Sequence, residues 1–130
     1  MNNKKLGDSF EAKFSKMLAA EGFWVHQLHI NSSGQPADII TAKNGKSYLI
    51  DCKECTRNQF DLSRIEDNQR LAMTMWKRKG NGCGWFALKL NNEVVMISSD
   101  LLFPLTQSYL KEDDIYLFGE KFSEWVAKYG

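Results

Sequence analysis

Nowhere in these 130 residues does an apolar run approach the roughly 20 residues that cross a bilayer, so no membrane-spanning helix is expected. The polar start Met1-Asn2-Asn3-Lys4-Lys5 lacks the apolar stretch of a signal peptide, and the expected compartment is the cytoplasm. Cysteine is scarce. Cys52, Cys55 and Cys83 are too few for a disulfide framework and suit a reducing compartment. Cys52-x-x-Cys55 has no second ligand pair, which argues against zinc or redox chemistry. Repeats, low-complexity tracts and any linker long enough to separate domains are missing too, so residues 1–130 read as one domain. Net charge is nearly missing, at +1, but a global sum hides local asymmetry and excludes no polyanionic partner.

What is present is a run of amphipathic segments. Phe10, Phe14, Met17 and Leu18 recur at helical spacing and predict a helix from Asp8 to Glu21, ended by Gly22. A strand follows from Phe23 to Ile30, then a loop of turn residues, Asn31-Ser32-Ser33-Gly34-Gln35-Pro36. Strands at Ala37 to Ala42 and Ser47 to Cys55 flank Asn44-Gly45, a hairpin signal because both residues tolerate positive φ. Leu62, Ile65, Gln69, Ala72, Met73 and Trp76 predict a second helix over Ser63 to Lys79, broken by Gly80-Asn81-Gly82. Strands at Trp85 to Leu90 and Val94 to Ser98 meet across Asn91-Asn92. Beyond them, Leu101 to Phe103 suggest a short turn, and Phe118, Phe122, Trp125, Val126 and Tyr129 a terminal amphipathic helix. The order predicts an α/β fold, a mixed sheet flanked by helices.

Chemistry concentrates in Tyr48-Leu49-Ile50-Asp51-Cys52-Lys53, an apolar strand interrupted by an acid and a lysine two residues apart. Alternation puts Asp51 and Lys53 on one face and Ile50 and Cys52 on the other. Burying such charges is costly unless each has a partner. Asp38 and Asp51 are equally far from Asn44-Gly45, so the hairpin places them opposite one another. Like charges so placed destabilise a sheet unless something bridges them. A Mg²⁺ ion, which prefers carboxylate, carbonyl and water oxygens, resolves the conflict and suits phosphodiester hydrolysis. The Cys52 carbonyl offers a further oxygen, and Lys53 projects beside the metal, where it can stabilise charge on a phosphate. The plainer reading of Asp51 and Lys53 is an ordinary salt bridge.

Other residues carry two readings each. Glu11 either closes a capping box with Asp8 or aims at the metal from the start of the first helix. Gln69 is either a satisfied buried amide or a donor to the water or phosphate at the edge of the site. Ser32 and Ser33 are either turn composition or contacts to a DNA phosphate. Between Arg57 and Lys89 seven Lys/Arg stand against three Asp/Glu, densest at Lys77-Arg78-Lys79. That tract is either a solvated helix end or a DNA contact.

Gly7-Asp8-Ser9-Phe10-Glu11, Pro36-Ala37-Asp38, Asp51-Cys52-Lys53 and Gln69 together resemble the PD-(D/E)XK nuclease superfamily. Within it the chain is most similar to Holliday-junction resolvases, of the archaeal Hjc type and of the RecU type of Gram-positive bacteria and their phages. The resemblance covers a core of about residues 7–98 and leaves a C-terminal segment, 99–130, unexplained. It implies a restriction-endonuclease-like mixed central sheet flanked by helices, Mg²⁺ dependence with Mn²⁺ as a substitute, and paired nicks across a four-way DNA junction leaving 5′-phosphate ends. It further implies metal binding by Glu11, Asp38 and Asp51 and a catalytic role for Lys53, with Ser32 or Ser33 and Gln69 matching a loop serine and a helix glutamine of the archaeal type. Aspartate at 51 is one methylene shorter than glutamate, and the short Asn31 to Gln35 connection leaves little room for a RecU-like stalk. Alternative readings are a general DNA-repair or phage nuclease and a catalytically silent DNA-binding recombination protein.

A homodimer is expected, because a junction has approximate two-fold symmetry and two-fold dimers are the commonest oligomers. Trp85, Phe86, Leu101, Leu102, Phe103, Phe118, Phe122 and Trp125 look like more apolar mass than one small core absorbs, which predicts an interface in the second half of the chain.

Overall fold

A computed structural model describes residues 9–28 and 35–130. Helix α1, Phe10–Ala20, starts at the N-cap Ser9, whose hydroxyl accepts from Ala12 N at 3.2 Å, so the cap is Ser9 and not Asp8. Strand β1, Trp24–Gln27, is shorter than expected. Strands β2, Ile39–Lys43, and β3, Lys46–Glu54, form the predicted hairpin, with Asn44 and Gly45 at φ 53° and 79°. A two-residue β4, Phe60–Asp61, precedes a short 3-10 turn, Leu62–Arg64. Helix α2 then spans only Asp67–Trp76 and passes into a π-helical turn at Lys77–Asn81.

Leu62 and Ile65 are therefore buried ahead of the helix, not along it. Their three-residue spacing fits a 3-10 turn as well as an α-helix. Strands β5, Trp85–Leu90, and β6, Glu93–Ser98, meet at Asn91 and Asn92, both at positive φ. The C-terminal part holds α3, Ser99–Leu102; β7, Tyr109–Leu110; α4, Glu112–Phe118; β8, Glu120–Lys121; and α5, Phe122–Tyr129. The expected single terminal helix is thus two, split at Gly119. A Cβ there would lie 2.3 Å from Val95 Cγ1 and 2.9 Å from Ile97 Cγ1, so only glycine lets the chain press onto β6 and add β8 to the sheet.

The six-stranded sheet runs β1-β2-β3-β5-β6-β8 and is mixed, with β3 and β5 the parallel pair. Alternation along its strands feeds two cores. Phe14, Leu18, Ile50, Trp85 and Trp125 lie on the face covered by α1 and α5. Leu49, Met73, Phe86, Leu88, Leu102 and Ile115 lie on the face covered by α2, α3 and α4. The C-terminal helix braces the β2–β3 hairpin: Tyr48 Oη donates to Tyr129 O at 2.9 Å, and Asn44 Nδ2 donates to Gly130 O at 3.1 Å.

Of the side chains expected to exceed one core, Trp85, Phe86, Leu102 and Trp125 are buried within it. Phe103, Phe118 and Phe122 pack against it, and only Leu101 is exposed. The terminal helix packs across its own sheet. No helix among the described residues is long and apolar enough to cross a membrane.

Candidate active site

Registry at the hairpin decides where the acids fall. Ile39 pairs with Ile50, and Asp38 N donates to Ile50 O at 3.1 Å, so the next pair outward is Asp38 and Asp51. Asp38 sits just ahead of β2 and its carboxylate is held by two donors, the Cys52 amide at 2.7 Å and Gln35 Nε2. Asp51, in mid-strand, is only 1% exposed. Its Oδ1 accepts from Gln69 Nε2 at 3.1 Å. Lys53 Nζ forms an ion pair with Oδ2 at 3.1 Å, and among the described residues that buried oxygen meets no other donor.

Burial, and then the charge of Asp38, push the Asp51 carboxyl up to about 7, against the opposing pull of Lys53. Cys52 points to the other face. Burial, then the charges of Asp38, Asp51 and Glu11, raise its thiol well above the usual range, which fits an inert core cysteine. Burial also lifts Cys55 to about 11, and neither is in a disulfide.

These side chains line a cavity of about 360 Å³ with Glu11, Gln35, Arg64 and Glu66. Glu11 stands in the first turn of α1, and with Ser9 as the N-cap it is the second helical residue, not the third that a capping box requires. Gln69 is the satisfied buried amide of its plainer reading, and it lines the cavity. Its Oε1 accepts from Glu66 N at 3.1 Å, capping α2, while its amide nitrogen reaches Asp51.

A desolvated carboxylate that faces a second carboxylate and is only partly offset by Lys53 is what a hard dication relieves, and the donor set suits Mg²⁺ or Mn²⁺. Among the described residues, however, no three His, Cys, Asp or Glu side chains are gathered closely enough to hold one ion by themselves. Mg²⁺ ordinarily keeps several waters and takes only one or two carboxylates, so Asp38 and Asp51 fit that habit.

The comparisons with known proteins bear on this geometry. The family model described as archaeal Holliday junction resolvase (Hjc) matches residues 2–121. The chain belongs to the Hjc family. That family lies within the PD-(D/E)XK superfamily, and membership implies a nuclease. The Hjc match runs past Ser98, through α3, α4 and β8. The solved structure of Archaeoglobus fulgidus Hjc, a Holliday junction resolvase from an archaeal hyperthermophile, superposes with a TM-score of 0.71 at 16% identity, covering 90% of this chain and 97% of that one. That likeness shows the fold, a mixed sheet flanked by helices. No curated protein sequence matches the chain.

Against this Hjc frame the predicted residues divide. Glu11, Asp38, Asp51, Cys52, Lys53 and Gln69 share one cavity. Ser32 and Ser33 lie outside the described residues. Lys77, Arg78 and Lys79 are at the far end of α2 from Gln69, roughly 12 Å or more along its axis, and Lys77 is paired with Asp100 at 2.8 Å.

Sequence reasoning missed Gln35 and Arg64. Gln35 was legible only as part of a turn, although a residue three before Asp38 in a Pro-containing turn is well placed to reach it. Its backbone oxygen accepts from Asn68 Nδ2 at 2.9 Å, which ties the turn to α2. Arg64 falls in the basic stretch but outside its densest part. The 3-10 turn carries it to the cavity, with Nη1 donating to Glu54 O at 2.7 Å.

Proposed function

We propose that this chain is a divalent-metal-dependent endonuclease that resolves four-way DNA junctions by paired nicks. The single observation carrying this reading is the buried Asp51, set opposite Asp38 and flanked by Lys53 and Gln69 in one cavity. Asp38, Asp51 and the Cys52 carbonyl would hold Mg²⁺, or Mn²⁺ in its place, with Glu11 on the same cavity reaching the ion through its waters. When bound, the cation supplies an activated water and positive charge toward the phosphate oxygens. Lys53 Nζ stands 3.1 Å from Asp51 Oδ2 and lines the same cavity, where it stabilises the charge that grows on the phosphate. Gln69 and the Cys52 amide fix the two carboxylates, so little reorganisation is needed as the reaction proceeds.

Water oxygen joins phosphorus, the bond to the 3′-oxygen breaks, and that oxygen takes a proton, leaving a 5′-phosphate and a 3′-hydroxyl. The compartment that fits this reading is the cytoplasm. A two-fold homodimer supplies two identical sites for cuts in strands of like polarity. Junction symmetry supports that assembly; the bulky side chains expected at an interface lend little, because all of them but Leu101 pack inside the chain.

Gel assays on a labelled junction test the chemistry. Asp38→Asn and Lys53→Ala should each lose at least about a hundredfold in cleavage rate, the scale of one removed transition-state contact, with circular dichroism unchanged. Chelation should stop the wild type. Full activity of Lys53→Ala in Mg²⁺ would refute its role.

A further inference from the structure

Trp24 is 62% exposed on β1, an edge strand of the sheet, and its indole lies nearly parallel to the His26 imidazole, with ring centres 6.1 Å apart and planes inclined by 7°. Trp85 and Trp125, by contrast, are buried. A lone exposed aromatic is ordinary. Two with parallel planes on one strand form a surface, and the register shows which way it faces.

His26 pairs with Ile40, and Ile40 with Leu49; Trp24 pairs with Ala42, and Ala42 with Ser47. Directly paired residues project from the same face, and Ser47 and Leu49 alternate onto the face of Asp51. Trp24 and His26 therefore stand on the active-site face. Two strand spacings and two residues along the strand separate His26 from Asp51, roughly 12 Å. At the per-strand rise of duplex DNA that is about four nucleotides, and fewer for an extended strand. Between the pair and the site lie Ile40, Ala42, Ser47 and the buried Leu49, none of them an acid. The backbone beneath is set in advance, because Thr41 Oγ1 donates to Trp24 O at 2.6 Å.

We propose that Trp24 and His26 form a stacking platform for an unstacked base a few nucleotides from the scissile phosphate. Every base has a π-face, so such a platform selects open or distorted DNA over intact duplex without reading sequence. The inference rests on the nuclease reading of the same face and extends it to what distinguishes a branch from a rod. Its alternative is that the edge strand meets a second copy of this chain.

The test compares wild type, Trp24→Ala and Trp24→Phe on a four-way junction and a forked duplex, without metal. Each DNA carries a fluorescent purine analogue in turn at the nucleotides flanking the cut. Trp24→Ala should bind about tenfold more weakly and lose a quenching signal at one position, while Trp24→Phe stays within about threefold of wild type. With Mg²⁺ the Trp24→Ala defect should appear as a higher DNA concentration for half-maximal cleavage, which Trp24→Phe largely rescues. Equal affinity and equal quenching in Trp24→Ala would overturn the platform while leaving junction cleavage intact. A fall in molecular mass of Trp24→Ala without DNA would overturn it in favour of the second copy. Trp24-dependent quenching on forked DNA in an enzyme that leaves junctions uncut would uphold the platform and refute the resolvase reading.

Discussion

Gln69 Nε2 donates to Asp51 Oδ1 at 3.1 Å while its Oε1 accepts from Glu66 N. One buried amide thus joins the start of α2 to the strand that carries the site. Both ends of the amide are used, so no conservative replacement keeps both bonds.

Gln69→Ala should cost stability through the lost cap and an unpaired buried carboxylate oxygen, about 1–3 kcal/mol in all. Cleavage should fall about tenfold or more, because Asp51 is no longer oriented. Urea unfolding and single-turnover kinetics on one preparation check both. An unchanged rate alongside a normal stability loss would make Gln69 structural only.

The pH dependence of stability reports Asp51. Its carboxyl stands raised from 3.8 to about 7 in the fold, so between those values the folded chain holds a proton that the unfolded chain has released. The unfolded state then binds fewer protons, and stability of the metal-free protein should fall as pH rises from about 4 to about 7, levelling above. Asp51→Asn removes the titration, flattens that slope and makes the metal-free protein more stable at pH 8. Mg²⁺ should restore wild-type stability at that pH but not that of Asp51→Asn. Thermal unfolding across pH, with and without Mg²⁺, is the measurement.

The basic tract should act on binding rather than on chemistry. Lys77 is already engaged by Asp100 in an exposed pair, and such pairs contribute about 0–1 kcal/mol, so Lys77→Ala alone should do little to stability. Arg78→Ala with Lys79→Ala should lower the salt dependence of junction affinity by about two charges while the saturated cleavage rate stays constant. Filter binding over a salt series decides. An unchanged slope would return the tract to its plainer reading, a solvated helix end.

Much of the site was legible because a hairpin with Asn44-Gly45 at its tip fixes registry, and registry fixes that Asp38 meets Asp51. Gln69 was legible as a polar interruption of an apolar stripe. The boundaries of α2 were not, because Leu62 and Ile65 satisfy two helical geometries at once. Strand β8 has two residues and hence no periodicity, and its pairing to β6 depends on the close approach of Gly119 to Val95 and Ile97. The dimer argument from bulky side chains failed because sequence counts apolar mass without its packing partners. Trp125 alone stacks or crosses against Phe23, Tyr48, Trp85, Phe122 and Tyr129. The part played by Gln35 and Arg64 required tertiary placement.

Side-by-side cleavage of a four-way junction and a linear duplex of the same sequence, in Mg²⁺, tests the central claim most directly. The junction should be cut by paired nicks in two strands of like polarity, each leaving a 5′-phosphate, while the duplex stays whole. Equal rates on the two, or no cleavage of the junction at all, would contradict it.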